Sequence, residues 1–468
     1  RVGSVWHCWY HKAGSFPVAV DWSMKHVIES LAGKVLPLLS RVMLAAPLLA
    51  IVMTSALGQT ASLEQSPPSA SGSDQGPAPQ SFQADWSERT YLTGNWGGAR
   101  SSLVDMGVDV DFRYTSFYQG LTSGTGREDF EYGGKFDLFI DLDGHRMGLW
   151  EGSGLSAHVE YSHGDLETNL GGTLFATNTA LYFPVGSPEE VVATSLNYSQ
   201  KVGEKTSISV GKFNPVDVYA THPFHGGWGI DRFMNIVPVA PPSGLIPVVF
   251  MGVLTNIMTE PVNWTIIISD PNDRTNDYFP GDLFEDGVLS AVNATYFTTL
   301  AGRKTSFGIT GLYITAEGVD YSSIGGGLVE TSNKSGAYNV NIQFRHDLQQ
   351  GGEQAEEAWG FFFKAGIADG NPNYVKSSVI TGFGGRALFF GRPQDSFGLG
   401  AFYYNLSDVL EDSINPAAVL GDEAAIEFFY NYSITPWLYL GLDVQYVKPA
   451  RERFDNALVV GLRMQIRL

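Results

Sequence analysis

Asp111 and Arg113, Lys135 and Asp137, and His158 and Glu160 stand two residues apart within three otherwise apolar stretches. The pattern returns with Asn197, then with Asn339, Asn341, Gln343 and Arg345, and again with Asp443, Gln445 and Arg463. Residues spaced by two share one face of a strand. One face therefore carries carboxylates, cations and amides, which are donors and acceptors that can replace the water around a polyhydroxyl solute while aromatic rings meet its C–H surfaces. Both charge signs are present, so the wall fixes a transverse field that orients dipolar solutes without strongly favouring one ion. Lys212 and Asp217, at the root of a long Pro-rich segment, are the candidates for the narrowest point. The plainer reading is that these groups only solvate a polar interior or brace a loop.

Covalent chemistry is not expected. A hydrolytic site needs a nucleophile, a histidine and an acid on neighbouring elements. His158 and His163 have opposite parity and cannot share one face, while His222 and His225 lie in a Pro-rich segment without a thiol, a Gly-x-Ser-x-Gly turn or a zinc-ligand helix nearby. Neither catalytic residues, nor a cofactor, nor a metal is expected. The segment 270–287 carries Asp270, Asp273, Asp277, Asp282, Glu285 and Asp286, but not at the spacing of an EF-hand, and it is read as a solvated acidic loop. A net charge of −20 excludes nucleic acid as a partner, because phosphate contacts need clustered Lys and Arg. The same charge suits divalent cations and lipopolysaccharide. The single cysteine, Cys8, lies upstream of the expected mature region, so no disulfide framework is available there.

The elements that present these residues alternate at period two. In the last stretch Leu458, Val460, Leu462, Met464 and Ile466 oppose Arg463, Gln465 and Arg467; before it Leu438, Leu440, Leu442, Val444 and Tyr446 oppose Asp443 and Gln445. Further strands are expected at 108–118, 135–142, 154–163, 191–200, 206–213, 246–258, 262–269, 288–298, 305–315, 337–346, 358–368, 376–390, 396–406 and 424–433. With the final two this makes about sixteen, each of the length that a tilted membrane strand requires. Alternation is weak in 246–258 and 376–390. Short links (201–205, 259–261, 299–304, 391–395, 434–436) interleave with long ones (164–190, 214–245, 270–287, 316–336, 407–423), as in a barrel with short periplasmic turns and long external loops. Two links of medium length, 143–153 and 347–357, depart from that pattern. The segment 214–245 combines five prolines with Tyr219, Phe224, Trp228 and Phe233 and is expected to fold into the barrel mouth. Charged residues are 17% of the chain, against roughly 25% in soluble domains. The fold class is an all-β, transmembrane antiparallel barrel, preceded by a short helix from Trp96 to Met106 with Gly107 as its C-cap.

Upstream, Lys25, Lys34 and Arg41 precede an apolar run from Val42 to Leu57, and Ala56-Leu57-Gly58 offers a signal-peptidase site. Residues 1–58 are read as upstream sequence plus a Sec leader starting near Met24. Residues 59–84 form a polar Ser/Pro/Gln-rich linker, and 85–468 are the barrel.

Leu92-Thr93-Gly94-Asn95-Trp96-Gly97-Gly98-Ala99-Arg100, Val210-Gly211-Lys212-Phe213-Asn214-Pro215, Asp270-Pro271-Asn272-Asp273, Phe284-Glu285-Asp286-Gly287 and Asp443-Val444-Gln445-Tyr446 resemble the carbohydrate-selective, OprB-type porins over nearly all of 85–468. The resemblance implies a sixteen-stranded channel in the outer membrane of a Gram-negative bacterium, passing small carbohydrates by diffusion as a homotrimer or a monomer. Leu442 stands where that family often has Pro, and Leu468 where such strands commonly end in Phe. A general diffusion porin is the nearest alternative and a barrel enzyme the more distant one.

Overall fold

A computed structural model of the chain describes residues 86–186, 189–244, 246–324, 331–352, 357–414 and 419–468. The expected leader, the linker and Asp85 lie outside the described residues.

Sixteen antiparallel strands close into a single barrel. They are β1 (Val108–Ser123), β2 (Phe130–Asp143), β3 (Ser153–Gly164), β4 (Val192–Val202), β5 (Thr206–Phe213), β6 (Phe250–Thr259), β7 (Val262–Ser269) and β8 (Leu289–Leu300). The series continues with β9 (Arg303–Val319), β10 (Asn333–Gln350), β11 (Ala358–Ala368), β12 (Val375–Ala387), β13 (Arg392–Leu406), β14 (Glu423–Thr435), β15 (Leu438–Lys448) and β16 (Ala457–Arg467). Each expected strand is present. Closure comes from β1 pairing with β16, Arg113 opposite Arg467 and Tyr118 opposite Leu462. The two medium links, 144–152 and 351–357, fall on the same rim as the short turns, because strand direction alternates around the ring.

The two weakly alternating stretches shift at their ends for local reasons. Residues 246–249 belong to the preceding loop, and β12 stops at Ala387 where Leu388–Phe390 form a 3-10 turn that ends on Gly391 at φ 68°. β9 and β10, at 17 and 18 residues, are the longest strands, so the wall rises highest on that side. The N-terminal helix is shorter than expected: α1 runs Ala99–Asp105, and Gly97 and Gly98, both at positive φ, separate it from the turn Trp96–Gly98.

Side-chain exposure is inverted relative to a soluble sheet. Tyr118, Tyr132, Trp264, Tyr296, Phe307, Tyr313, Tyr338, Tyr403, Tyr446 and Leu462 point outward and are 40–54% exposed. Such a face meets lipid. Inside, Phe362, Phe402, Tyr404 and Phe429 of the wall pack with Phe224, Phe233 and Val237 of the loop 214–249. A second cluster joins Phe117 and Phe139 of the wall to Val216, Trp228, Ile230 and Met234 of the same loop. The loop therefore lies within the ring, as its prolines and aromatics suggest.

The lumen and its infolded loop as the candidate functional site

The loop starts at β5, where Asn214 caps the short helix α2 (Pro215–Ala220), its side chain accepting from the Val216 amide at 2.9 Å. The turn aims Asp217 back at the wall. Its Oδ1 lies 2.8 Å from His158 Nδ1 and accepts from Trp228 Nε1 at 2.6 Å, while Oδ2 accepts from Ser195. Burial pushes the Asp217 carboxyl up. His158 and the hydrogen bonds from His158, Ser195 and Trp228 outweigh that cost and hold it below the usual carboxylate range.

From His158 the network continues along the wall. Its Nε2 lies 3.0 Å from Asp137 Oδ1, and Lys135 Nζ reaches Glu160 at 2.5 Å and Asp137 at 3.3 Å. Asp137, His158 and Glu160 come close enough to hold a cation, yet the Lys135 ammonium already stands against both carboxylates. Lys135 thus takes up the carboxylate oxygens that a cation would otherwise meet. Below it Arg113 bonds Asp111 at 2.6 Å and lies over the rings of Phe139 and Trp228. Arg467 completes the group on Asp111 at 3.0 Å.

Across the lumen the loop is held through its backbone. Arg463 donates to the Gly229 carbonyl at 2.6 Å and the Arg232 carbonyl at 2.9 Å, Gln465 to Ile230 at 3.0 Å, and Asn431 to Asp231 at 2.6 Å. The Glu427 carboxylate accepts the amides of Met234 at 2.6 Å and Asn235 at 3.3 Å. Asn235 also caps the turn Ile236–Val239 and donates to Gln445 Oε1 at 3.1 Å. Lys364 Nζ donates to the carbonyls of Val239 at 2.8 Å and Pro238 at 3.1 Å, beside His225 Nδ1 at 3.2 Å. Burial keeps the stacked imidazoles of His222 and His225 well below their usual pKa, so both are neutral.

The wall is cut away where the loop lies on it. A methyl group at Gly384 would collide with the Phe224 carbonyl, and one at Gly398 or Gly400 would come within 2.7 or 2.9 Å of the Phe233 ring. These glycines alternate on the inner faces of β12 and β13 because only a bare backbone leaves room there.

The opposite wall is covered near the long loops, where Ile246 packs on Leu289, Leu312 and Ile314, and is open towards the short turns. On β6 to β10, Asn256, Thr265, Asn293, Thr295, Thr310 and Gln343 face inward and are half-buried. They bond one another across and along the strands: Thr265 to Asn256 at 2.8 Å, Asn293 to Thr310 at 2.8 Å and Gln343 to Thr310 at 3.3 Å between strands, and Thr295 to Asn293 at 2.9 Å within β8.

The residues singled out by parity divide accordingly. Lys135, Asp137, His158 and Glu160 form one group with Asp217; Asp443 and Gln445 lie under the loop at the other end of the same span, and all are buried. Lys212 is buried too, its Nζ donating to the Thr275 carbonyl at 2.6 Å over the Tyr278 ring, so it braces the loop 270–288. Asn197, opposite Gly211, is half-buried and joins none of these groups. Arg113, Gln343 and Arg345 keep partial exposure, Arg345 beside Asp347 at 2.8 Å and over Phe224. Sequence reading passed over Lys364, Glu427, Trp228 and Ser195 as site residues. Lys364 did carry a signal, as the one charge in the apolar run Trp359–Ala368. It also passed over Arg274, which gathers Asp270, Asp277 and Asp282 within 3.1 Å and so makes the acidic loop an ion-paired one.

Comparison with known proteins gives three results. The sequence profile described as carbohydrate-selective porin, OprB family, matches residues 127–468. No curated protein matches the chain in sequence. Among solved structures, the high-pH structure of Pseudomonas putida OprB aligns at TM-score 0.70 and 19% identity, covering 82% of this chain and 99% of that one. The low-pH structure of the same protein aligns at TM-score 0.51 and 16% identity with the same coverage. The solved structures bear on the fold; the profile, which spans most of the ring, bears on the family. The chain belongs to the OprB family of carbohydrate-selective porins and is a sugar-selective channel of the Gram-negative outer membrane.

Proposed function

We propose that sugars cross on the side that the infolded loop leaves open, along the inner faces of β6 to β10. The observation that carries this reading is the continuous row of uncharged amides and hydroxyls, Asn256, Thr265, Asn293, Thr295, Thr310 and Gln343, which keep solvent access while the charged groups opposite are consumed by the loop. A neutral polyol sheds water at little cost only where donors and acceptors stand ready and no charge must be desolvated. Side chains that already exchange hydrogen bonds with each other can hand them to a passing hydroxyl and recover them afterwards. Arg345, at the border between the row and the Phe224 ring, supplies a charged edge beside an aromatic face.

Liposome swelling and current block test the reading on purified protein. Glucose and an amino acid of equal size are compared in wild type and in Asn293→Leu/Gln343→Leu. The expected result is a saturable block of current by glucose and, in the variant, a drop in glucose flux of about fivefold or more with potassium conductance little changed, since one lost hydrogen bond is worth about 1 kcal/mol. Equal swelling rates for both solutes in wild type would instead describe a general diffusion pore, and unchanged glucose flux in the variant would remove these residues from the route.

A further inference from the structure

Two wall side chains hold one short piece of the infolded loop near its two ends, one by accepting hydrogen bonds and the other by donating them. Glu427 on β14 accepts the amides of Met234 and Asn235, and Lys364 on β11 donates to the carbonyls of Pro238 and Val239. The piece between them, Ile236–Val239, is a single helical turn: Glu427 takes the two amides just before it, its own leading amides go to the Ala176 carbonyl and Asn235 Oδ1, and Lys364 takes its trailing carbonyls. Both side chains are almost wholly buried, at 0% and 4% exposure. Among the described residues neither makes an ion pair, and the Glu427 carboxyl also shares a hydrogen bond with Asp443. A buried polar head is costly unless it is hydrogen-bonded, and the loop backbone supplies such bonds to both. The same stretch is also held by Asn235 to Gln445, and past it Ser243 lies against Ser378 of β12 at 3.1 Å between hydroxyl oxygens.

We propose that Glu427 and Lys364 are positioning residues that set the aperture of the channel, pinning the loop 214–249 against β11 to β16 so that solute is confined to the face opposite. The proposal rests on the route assigned above, but its readout differs: it concerns where the loop lies, whatever solute passes. Aromatic packing of Phe224 and Phe233 into the glycine gaps is nondirectional and would tolerate sliding. The two polar contacts supply register along the loop, because Glu427 takes backbone amides and Lys364 takes backbone carbonyls.

Single-channel recording on the full chain in planar bilayers tests this with Lys364→Met, Lys364→Arg and Glu427→Gln. The chain has no cysteine after Cys8, so Ser243→Cys/Ser378→Cys adds one tether between loop and wall. Lys364→Met and Glu427→Gln are expected to raise unitary conductance about twofold or more with added flicker, as pore diameter governs flux; Lys364→Arg, which can still donate to the two carbonyls, stays near wild type. Oxidising the tether in the Lys364→Met background returns conductance to the wild-type level, and reduction raises it again. Glu427→Gln keeps the shape of the wall and carries the test if Lys364→Met fails to give a heat-modifiable barrel. Wild-type conductance in both charge-removing variants, or a raised conductance that the tether does not reverse, overturns the proposal. Altered conductance here, together with unchanged sugar flux in Asn293→Leu/Gln343→Leu, would sink the route and leave the clamp standing.

Discussion

Asp217 shows how a single loop carboxylate is made to matter. Three donors converge on it, from His158, Ser195 and Trp228, and none can be replaced by water without reopening the packed cluster around Phe139. Because its folded pKa lies below the unfolded value of about 3.9, its contribution is complete above that value and is lost only as pH falls through the lower, folded pKa. The root of the loop should therefore hold from neutrality down to about pH 4. Asp217→Asn leaves His158 facing an uncharged partner and should cost about 3 kcal/mol or more. Thermal unfolding in detergent at several pH values checks both points: the variant melts lower at neutral pH, and the gap to wild type narrows in strong acid. A constant gap across that range would mean that the charge of Asp217 is not what holds the loop. The inward direction of Asp217's partners was legible from parity, since Lys135, Asp137, His158 and Glu160 alternate within their strands. Their coverage was not, because it depends on a loop that returns from a distant strand.

At the scale of elements, strands were the most legible feature of the sequence and their covering the least. In β10, Tyr338, Val340, Ile342 and Phe344 alternate with Asn339, Asn341, Gln343 and Arg345, and the pairing with β9 and β11 keeps that alternation. Period two is a local property and survives in any barrel. Docking of the loop is not local: Glu427 meets amides 193 residues away in sequence. The inner row Gly384, Gly398 and Gly400 records that docking, but as missing side chains, which a hydropathy pattern does not register. The opening Gly-x-Trp-Gly-Gly-x-Arg motif also becomes intelligible only at this scale. Arg100 stacks on Tyr91 and Trp96 and donates to the carbonyls of Leu468 at 2.8 Å and Val110 at 3.1 Å, so α1 fastens the last strand to the first. Arg100→Ala should lower barrel stability by about 1–3 kcal/mol through two orphaned carbonyls, read as a faster loss of the compact band on a semi-denaturing gel. Unchanged unfolding would mean that the β1–β16 pairing needs no such fastening.

For the molecule as a whole, the lumen is divided into a charged half that the loop occupies and a neutral half that it leaves open. This division explains how a chain of net charge −20 can serve neutral solutes: its inner charges are largely paired within the wall or spent on loop backbone. Arg113 and Arg345 reach the open space, 12% and 13% exposed beside Asp111 and Asp347. Arg113→Ala leaves Asp111 with Arg467 alone and should shift reversal potentials in a salt gradient towards cations, while glucose flux changes little. A shift towards anions would contradict the assigned lining. The pairing of Arg113 with Arg467 and of Tyr118 with Leu462 has one more consequence. The ring has a seam, and its two lips are the first and last strands in chain order. Unjoined, both lips carry bare amide and carbonyl groups that hydrocarbon cannot satisfy. Residence in the bilayer therefore depends on a pairing between strands more than three hundred residues apart, and a lesion on either lip opens the whole circle.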